Sequence, residues 1–261
     1  LYNIILKNKI MKKILLVGES WVSNATHYKG WDQFSSTTFH LGAEKLIESI
    51  DSSQFQIEYM TSHEASEKFP SKMSDLQKYS SIILSDIGSN TILLHPKVWI
   101  EGETYVNRLK LIKDYVNLGG SFLMVGGYLS FQGINGSARY KGTAIEEILP
   151  IDIHPYDDRI EVPEGFNVII KNEDHEILNG LSGIWPPLLG LNEVVPSKES
   201  QTIISTPEAF GSHPLLVVGS HGSGKTMAWT SDIGPHWVSK EFLSWKGYSI
   251  LWNQILAWLV G

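Results

Sequence analysis

The sequence predicts an α/β protein: a parallel sheet flanked by helices in its first half, with an added β-rich portion in its second. Two patterns support this. In the first half, continuous apolar runs of strand length alternate with segments of helical periodicity, the pattern of strands buried on both faces by crossover helices. In the second half the runs are mostly strand-like, and the chain closes on an amphipathic segment.

Taken in order, "KKILLVGES" (12–20) reads as a first core strand and "TTFHLGAEKLIESI" (37–50) as a helix. "FQIEYMT" (55–61) and "SSIILSDIG" (80–88) follow as strands, and "TYVNRLKLIKDYVNLGG" (104–120) as a helix closed by glycines. "SFLMVGG" (121–127) completes the parallel set. "DIHPYDDRIEVP", "FNVIIKN", "QTIIST", "PLLVVGS" and "KTMAWTSD" are β patterns, and "FLSWKGYSILWNQILAWLV" (242–260) is a terminal helix whose Trp245, Trp252 and Trp258 face the core.

A chain of 261 residues with 42% hydrophobic content can bury a sizeable core, and no break in composition divides it. Residues 11–261 are therefore expected to form one domain, with residues 1–10 as an upstream extension. The net charge of −7, without a Lys/Arg cluster, argues against nucleic-acid and membrane-surface partners. No segment reaches the ~20 apolar residues of a membrane span. The absence of cysteine removes disulfides, thiolate metal sites and cysteine nucleophiles together, and is compatible with a cytoplasmic location. A small-molecule ligand is the expected partner, and a homo-oligomer is compatible with the sequence. No cofactor is expected.

"GSHGSGKT" (219–226) fits the phosphate-loop pattern G-x-x-x-x-G-K-[ST] letter for letter. A phosphate loop must run from a strand onto a helix N-terminus. Here the following "KTMAWTSD" alternates like a strand, and Gly234 and Pro235 forbid a long helix, so the expected structure is a glycine-turned hairpin.

Parallel sheets carry their sites at the carboxyl ends of the strands. Three such ends stand out: "GESW" (18–21), "SDIGSN" (85–90) and "GGYLSFQG" (126–133). Glu19 and Asp86 offer paired carboxylates for acid–base work or helix capping. His27 and His95 are expected in the loops after the same strands, but no H-x-H or H-E-x-x-H spacing supports a metal site, and none is expected. In "YDDR" (156–159) the adjacent Asp157 and Asp158 point to opposite faces of a strand, so only one can face a site, and an Arg159–carboxylate pair is the expected use. "SDIGPHW" (231–237) places Asp232 and His236 in a loop beside Trp237. Tyr128, Gln132, His236 and Trp237 would form a pocket for a small polar ligand stacked on an aromatic wall.

The element order, "LMVGGYLSFQG", and the late hairpin with "SDIGPHW" resemble the class I glutamine amidotransferase-like superfamily. The resemblance is closest to the branch with motifs of the form G-E-S-W, H-x-K-G, S-D-I-G-x-N-T, G-G-Y-L-S-F-x-G, Y-D-D-R and S-D-x-x-P-H-W. It spans most of the chain from Lys12 onward and implies a flavodoxin-like fold. Active members of the superfamily place a cysteine at a strand-to-helix elbow; the resemblance puts Tyr128 at that nucleophile position here. A tyrosine hydroxyl, with a pKa near ~10, is a poor acyl acceptor, so glutaminase chemistry is not expected. Two classes of function remain. The first is a small-molecule-binding protein with Glu19, His27, Asp86, His95, Gln132 and Trp237 as ligand contacts. The second is a hydrolase of a carbohydrate or amide acting through Asp232 and His236, with or without a metal.

Overall fold

The computed structural model describes residues 11–261; the expected extension at residues 1–10 lies outside them. The strands are β1 (Lys12–Gly18), β2 (Ser20–Lys29), β3 (Asp32–Leu41), β4 (Phe55–Met60), β5 (Ser81–Ser85), β6 (Ser121–Val125) and β7 (Ile151–Ile153). They continue with β8 (Arg159–Phe166), β9 (Ile169–Ile170), β10 (Leu188–Asn192), β11 (Val194–Pro196), β12 (Gln201–Ser205), β13 (Pro214–His221) and β14 (Gly224–Trp229). Eight of them form one sheet in the order β4-β1-β5-β6-β14-β13-β12-β9. The first five in that order run parallel, and the last three continue it as antiparallel neighbours.

Successive residues of a strand face opposite sides, and the two cores follow that alternation. Ile14 and Leu16 of β1, with Leu123 of β6 and Trp229 of β14, pack beneath the helices Glu44–Ser49 and Lys246–Val260. Leu15 and Val17, with Phe122 and Ala228, face the helices Ser62–Lys68 and Arg108–Asn117. Trp252 of the terminal helix is buried, and Trp245 and Trp258 pack against the same core, as the stripe predicts. On the other face the buried Arg108 donates to the carbonyls of Ala65, Ser66, Thr91 and Ile92. It thereby ties together two short helices, Ser62–Lys68 and Ser89–Leu93, through carbonyls near their carboxyl ends.

One expected helix is corrected. Only Glu44–Ser49 of the segment 37–50 is helical; Thr37 to Leu41 belong to β3, which pairs with β2 over its whole length. β-Branched and aromatic residues favour that extended state, and Gly30 (φ +66°) with Trp31 makes the two-residue turn. The product is a long ribbon, Ser20 to Leu41, inserted between β1 and the first helix.

The hairpin expectation for the phosphate-loop match holds. β13 and β14 pair antiparallel from Leu216–Trp229 to His221–Gly224, and Gly222 (φ +58°) sits in the turn. Lys225 donates to the carbonyl of Trp258 at 2.7 Å, with its ammonium 4.8 Å from the Trp258 ring centre. The lysine holds the end of the terminal helix and faces no phosphate cradle. Lys225→Ala should therefore lower stability by roughly 1 kcal/mol in denaturant titration. Mg-ATP should raise the melting temperature of neither form; a nucleotide-dependent rise lost in the variant would contradict the hairpin assignment.

Candidate functional site

The site is built at the carboxyl ends of β1, β5, β6 and β14. β1 leaves the sheet through Gly18, at φ +109°, where a Cβ would lie 1.9 Å from the Ser85 carbonyl. Only glycine passes there. Glu19 follows in the left-handed region, at φ +47°, and is held by three backbone bonds. Its N–H donates to Ser85 O (2.8 Å), and its carbonyl accepts from Gly42 N (2.8 Å) and from the Tyr59 hydroxyl (2.9 Å). Asp86, the matching residue after β5, is also left-handed at φ +43°. Its Oδ1 accepts from Leu129 N at 2.6 Å, and its own N–H donates to Ser130 Oγ at 3.1 Å. Asp232, just beyond β14, accepts from Ile233 N (2.6 Å) and Gly234 N (3.2 Å) through one oxygen.

These three carboxyl groups form one electrostatic unit. Glu19 and Asp232 are only 3% and 4% exposed, and Asp86 is half-buried. Burial penalises the charged form and raises all three pKa values. Asp232 and Asp86 push Glu19 further up, against a 2.6 Å bond from the Ser85 hydroxyl that favours its ionised form. Asp232, with Asp86 as its charged neighbour, is pushed up to about 8. At neutral pH the cluster therefore carries bound protons and offers hydroxyl donors as well as carboxylate acceptors.

Above it lies a rim of polar and aromatic side chains. The half-exposed His236 meets the Tyr128 ring edge-on at 4.3 Å and stacks on Trp237 at 5.1 Å. Its Nδ1 lies 4.0 Å from Asp232 and its Nε2 3.8 Å from Glu161. Burial lowers the His236 pKa, so the imidazole is neutral at pH 7. Glu161 accepts from Trp237 Nε1 at 3.0 Å. The Arg159 guanidinium lies 4.8 Å from the Tyr128 ring centre while making a two-pronged pair with Asp157 (2.9 and 2.8 Å). Burial and Glu161 raise the Tyr128 pKa, which keeps its hydroxyl protonated. His236 itself sits at φ +123°, a strained setting for a residue with a Cβ.

The structure thus brings together Glu19, Asp86, Tyr128, Asp232, His236 and Trp237. Gln132 sits behind them: its N–H and that of Gly133 donate to Asp158 (2.8 and 2.9 Å), which also accepts from Asn192 Nδ2. The two aspartates of "YDDR" divide as expected, Asp157 to Arg159 and Asp158 to this buried network, but from the loop just before β8 and not from a strand. His27 lies elsewhere, on the exposed ribbon, bonded to Ser36 Oγ and stacked on Phe34. His95 caps the helix Pro96–Trp99 through Nδ1 and stacks on Tyr105. Neither histidine touches the cluster. No α-helix follows β6: the chain makes turns through Gly126 to Gly133 and then one 3-10 turn, Ile134–Gly136. Tyr128 therefore has no helix N-terminus behind it, and the N–H groups on either side are engaged, Gly127 N with Asn192 Oδ1 and Leu129 N with Asp86.

Glu161 and Asn192 did not stand out in the sequence. For Glu161 a signal existed, since it lies two residues after Arg159 on one strand and so shares its face. Among the described residues, no group of three or more His, Asp or Glu side chains could hold a metal ion. Two open depressions, of about 440 and 360 Å³, lie away from this crevice; the second is lined by Lys12, Ser80, Ser121 and Lys225 at the amino ends of the parallel strands.

Residues 13–261 match the family described as "Putative glutamine amidotransferase", and the chain belongs to that family. Cytoplasmic Protein STM3548 from Salmonella typhimurium is 38% identical, over 94% of this chain and 98% of its own, with a TM-score of 0.89. Cytoplasmic Protein STM1381 from Salmonella typhimurium LT2 is also 38% identical, over 95% and 99%, with the same TM-score. A thua-like protein from Parabacteroides merdae ATCC 43184 shares the fold at 10% identity, over 96% of this chain and 90% of its own, with a TM-score of 0.55. No curated protein matches the chain. Among the described residues, no helix is long and apolar enough to cross a membrane.

The cluster makes stability depend on pH in a defined sense. Unfolded, Asp232 titrates near ~3.9; folded, it holds its proton up to about 8. Between these values the folded state binds more protons, so stability falls as pH rises through that window. Asp232→Asn keeps an oxygen for Ile233 N and Gly234 N but removes the charge. Its melting temperature should exceed that of the wild type at pH 8.5 and match it near pH 4.5. A variant less stable at pH 8.5 would mean that the folded protein favours the carboxylate.

Proposed function

We propose that the protein binds a small polar ligand, sugar- or amide-like, in the crevice at the strand carboxyl ends. Residues 11–261 act as one domain in this reading, and catalysis by a thiol is excluded by composition. The observation that carries it is the placement of the partly exposed Tyr128 and the exposed His236, backed by the fully buried Trp237, over a protonated carboxyl cluster. Flat apolar faces beside fixed hydroxyl donors and carboxylate acceptors suit a ligand that has both C–H faces and polar edges. Strained backbone at Glu19, Asp86 and His236 supports the same assignment, since such strain persists where surrounding structure holds a site in place. Gln132 contributes from behind, and any part for His27 or His95 requires contact from outside the crevice. The Salmonella relatives named as cytoplasmic proteins support a cytoplasmic location.

A hydrolase acting through Asp232 and His236 is the second reading, favoured by their 4.0 Å approach. It is the weaker one. A protonated Asp232 does not strengthen a histidine base, and the raised Tyr128 pKa leaves a phenol in place of an activated nucleophile.

Thermal-shift screening with monosaccharides, disaccharides and carboxamides tests the proposal, because a ligand selective for the folded state raises its melting temperature by mass action. At least one member should do so. Tyr128→Ala and His236→Ala should each weaken its binding about tenfold or more while changing the unliganded melting temperature little. Normal affinity in both variants would remove the ligand from this crevice. Turnover of a bound sugar or amide, abolished by His236→Ala, would establish the hydrolase instead.

A further inference from the structure

The ribbon of β2 and β3 has no part in the crevice beyond its foot, yet among the described residues it carries seven exposed large apolar side chains, from Trp21 to Leu41. At the foot, Ser20 Oγ accepts from Ser62 N and Phe39 meets His63 edge-on at 5.1 Å. Beyond it, among the described residues, both faces of the ribbon are exposed. Trp21, His27 and Phe34 lie on one face, Val22, Tyr28 and Phe39 on the other, and Trp31 at the turn is 104% exposed. A lone two-stranded ribbon is marginal in water, so ten-residue strands of this composition need cover. Among the described residues both outer edges are unpaired as well, with no proline and a single lysine to discourage pairing.

The chemistry narrows what covers it. Between Ser20 and Leu41 the only Asp, Glu, Lys or Arg residues are Lys29 and Asp32, which face each other across the ribbon and cancel. A neutral surface on a chain of net charge −7 does not suit nucleic acid or an anionic membrane. The exposed aromatic side chains offer on the order of 600 Å² per ribbon. A stable interface uses about 800 Å² per partner, so two ribbons engaged reciprocally come close to supplying one. At ~3.4 Å per residue the ribbon extends roughly 33 Å, beyond the ~18 Å radius of gyration expected for a domain of this length. It is therefore long enough to lie along the surface of a neighbouring copy. That copy offers its own bare apolar pair, Trp99 and Ile100, each 76% exposed.

We infer that the ribbon is a docking arm that joins this chain to a second copy of itself, burying Tyr28, Trp31 and Phe34. A two-fold arrangement lets each arm cover the other chain, so one surface is satisfied twice by the same contacts.

Sedimentation velocity on the full chain at micromolar concentration tests this, with the triple variant Tyr28→Ser, Trp31→Ser, Phe34→Ser beside the wild type. These side chains are exposed in the single chain, so the triple variant should fold; an unchanged far-ultraviolet circular dichroism spectrum outside the ribbon contribution and a cooperative melt verify it. Trp99→Ser serves as a second, independent variant on the receiving surface. The wild type should sediment as two or more chains, the triple variant as one chain, and Trp99→Ser should weaken assembly. A wild type that stays monomeric across the micromolar range would overturn the proposal. So would a triple variant that assembles as the wild type does, or a monomeric wild type that sediments with neutral phosphatidylcholine vesicles.

Discussion

Burying Glu19 and Asp232 side by side is the constraint on which the rest of this structure turns. Two carboxyl groups removed from water, with Asp86 as a third neighbour, cannot all carry charge, so the fold must supply protons, hydrogen bonds or both. It supplies both. The Ser85 hydroxyl reaches Glu19, two backbone N–H groups reach Asp232, and one reaches Asp86. The surrounding chain is shaped to permit this. A Cβ on Gly127 would fall 2.7 Å from Asp86 Oδ1, and one on Gly42 2.6 Å from Glu19 Oε1, so glycine at both positions lets backbone close over the carboxyl groups. The departure of the ribbon at Ser20 and its return at Gly42 follow from the same turn, because Gly42 N donates to Glu19 O.

The family to which the chain belongs suggests acyl transfer by name, while the residues in this crevice support the ligand-binding use proposed above. Tyr128 occupies the position after the glycine pair at the end of β6, but its hydroxyl is held protonated and its backbone enters turns. The donors that would serve an oxyanion are already engaged, Gly127 N with Asn192 and Leu129 N with Asp86. What remains accessible is the Tyr128 and His236 rim, with Trp237 buried beneath it, over a proton-rich floor. That combination favours recognition over covalent chemistry.

Much of the fold was legible because buried parallel strands leave continuous apolar runs, and "KKILLVG", "SSIILS" and "SFLMV" became β1, β5 and β6. The hairpin at Gly222 was legible because a phosphate loop requires a helix that Gly234 and Pro235 preclude. The ribbon was not, because its residues cover no core and so leave no burial pattern; Thr37 to Leu41 resembled the start of a helix that begins only at Glu44. In the site, the strand-end residues Glu19, Asp86 and Asp232 could be found from position alone. His27 could not be separated from them, since the loop expected to hold it is a ribbon that carries it outward. Glu161 and Asn192 reach the site from β8 and β10, strands outside the main sheet, whose placement no local pattern encodes.

Burial of Glu19 and Asp232 places protons on the carboxyl cluster at neutral pH. Infrared difference spectroscopy in the carboxylic-acid C=O stretching region, wild type against Asp232→Asn, reads it directly. At pH 7 the wild type should show a protonated carboxyl band, and the part of it that is missing in the variant, from Asp232, should be lost as pH rises past about 8. A wild type with no such band at pH 6 to 7, while still folded, would contradict it.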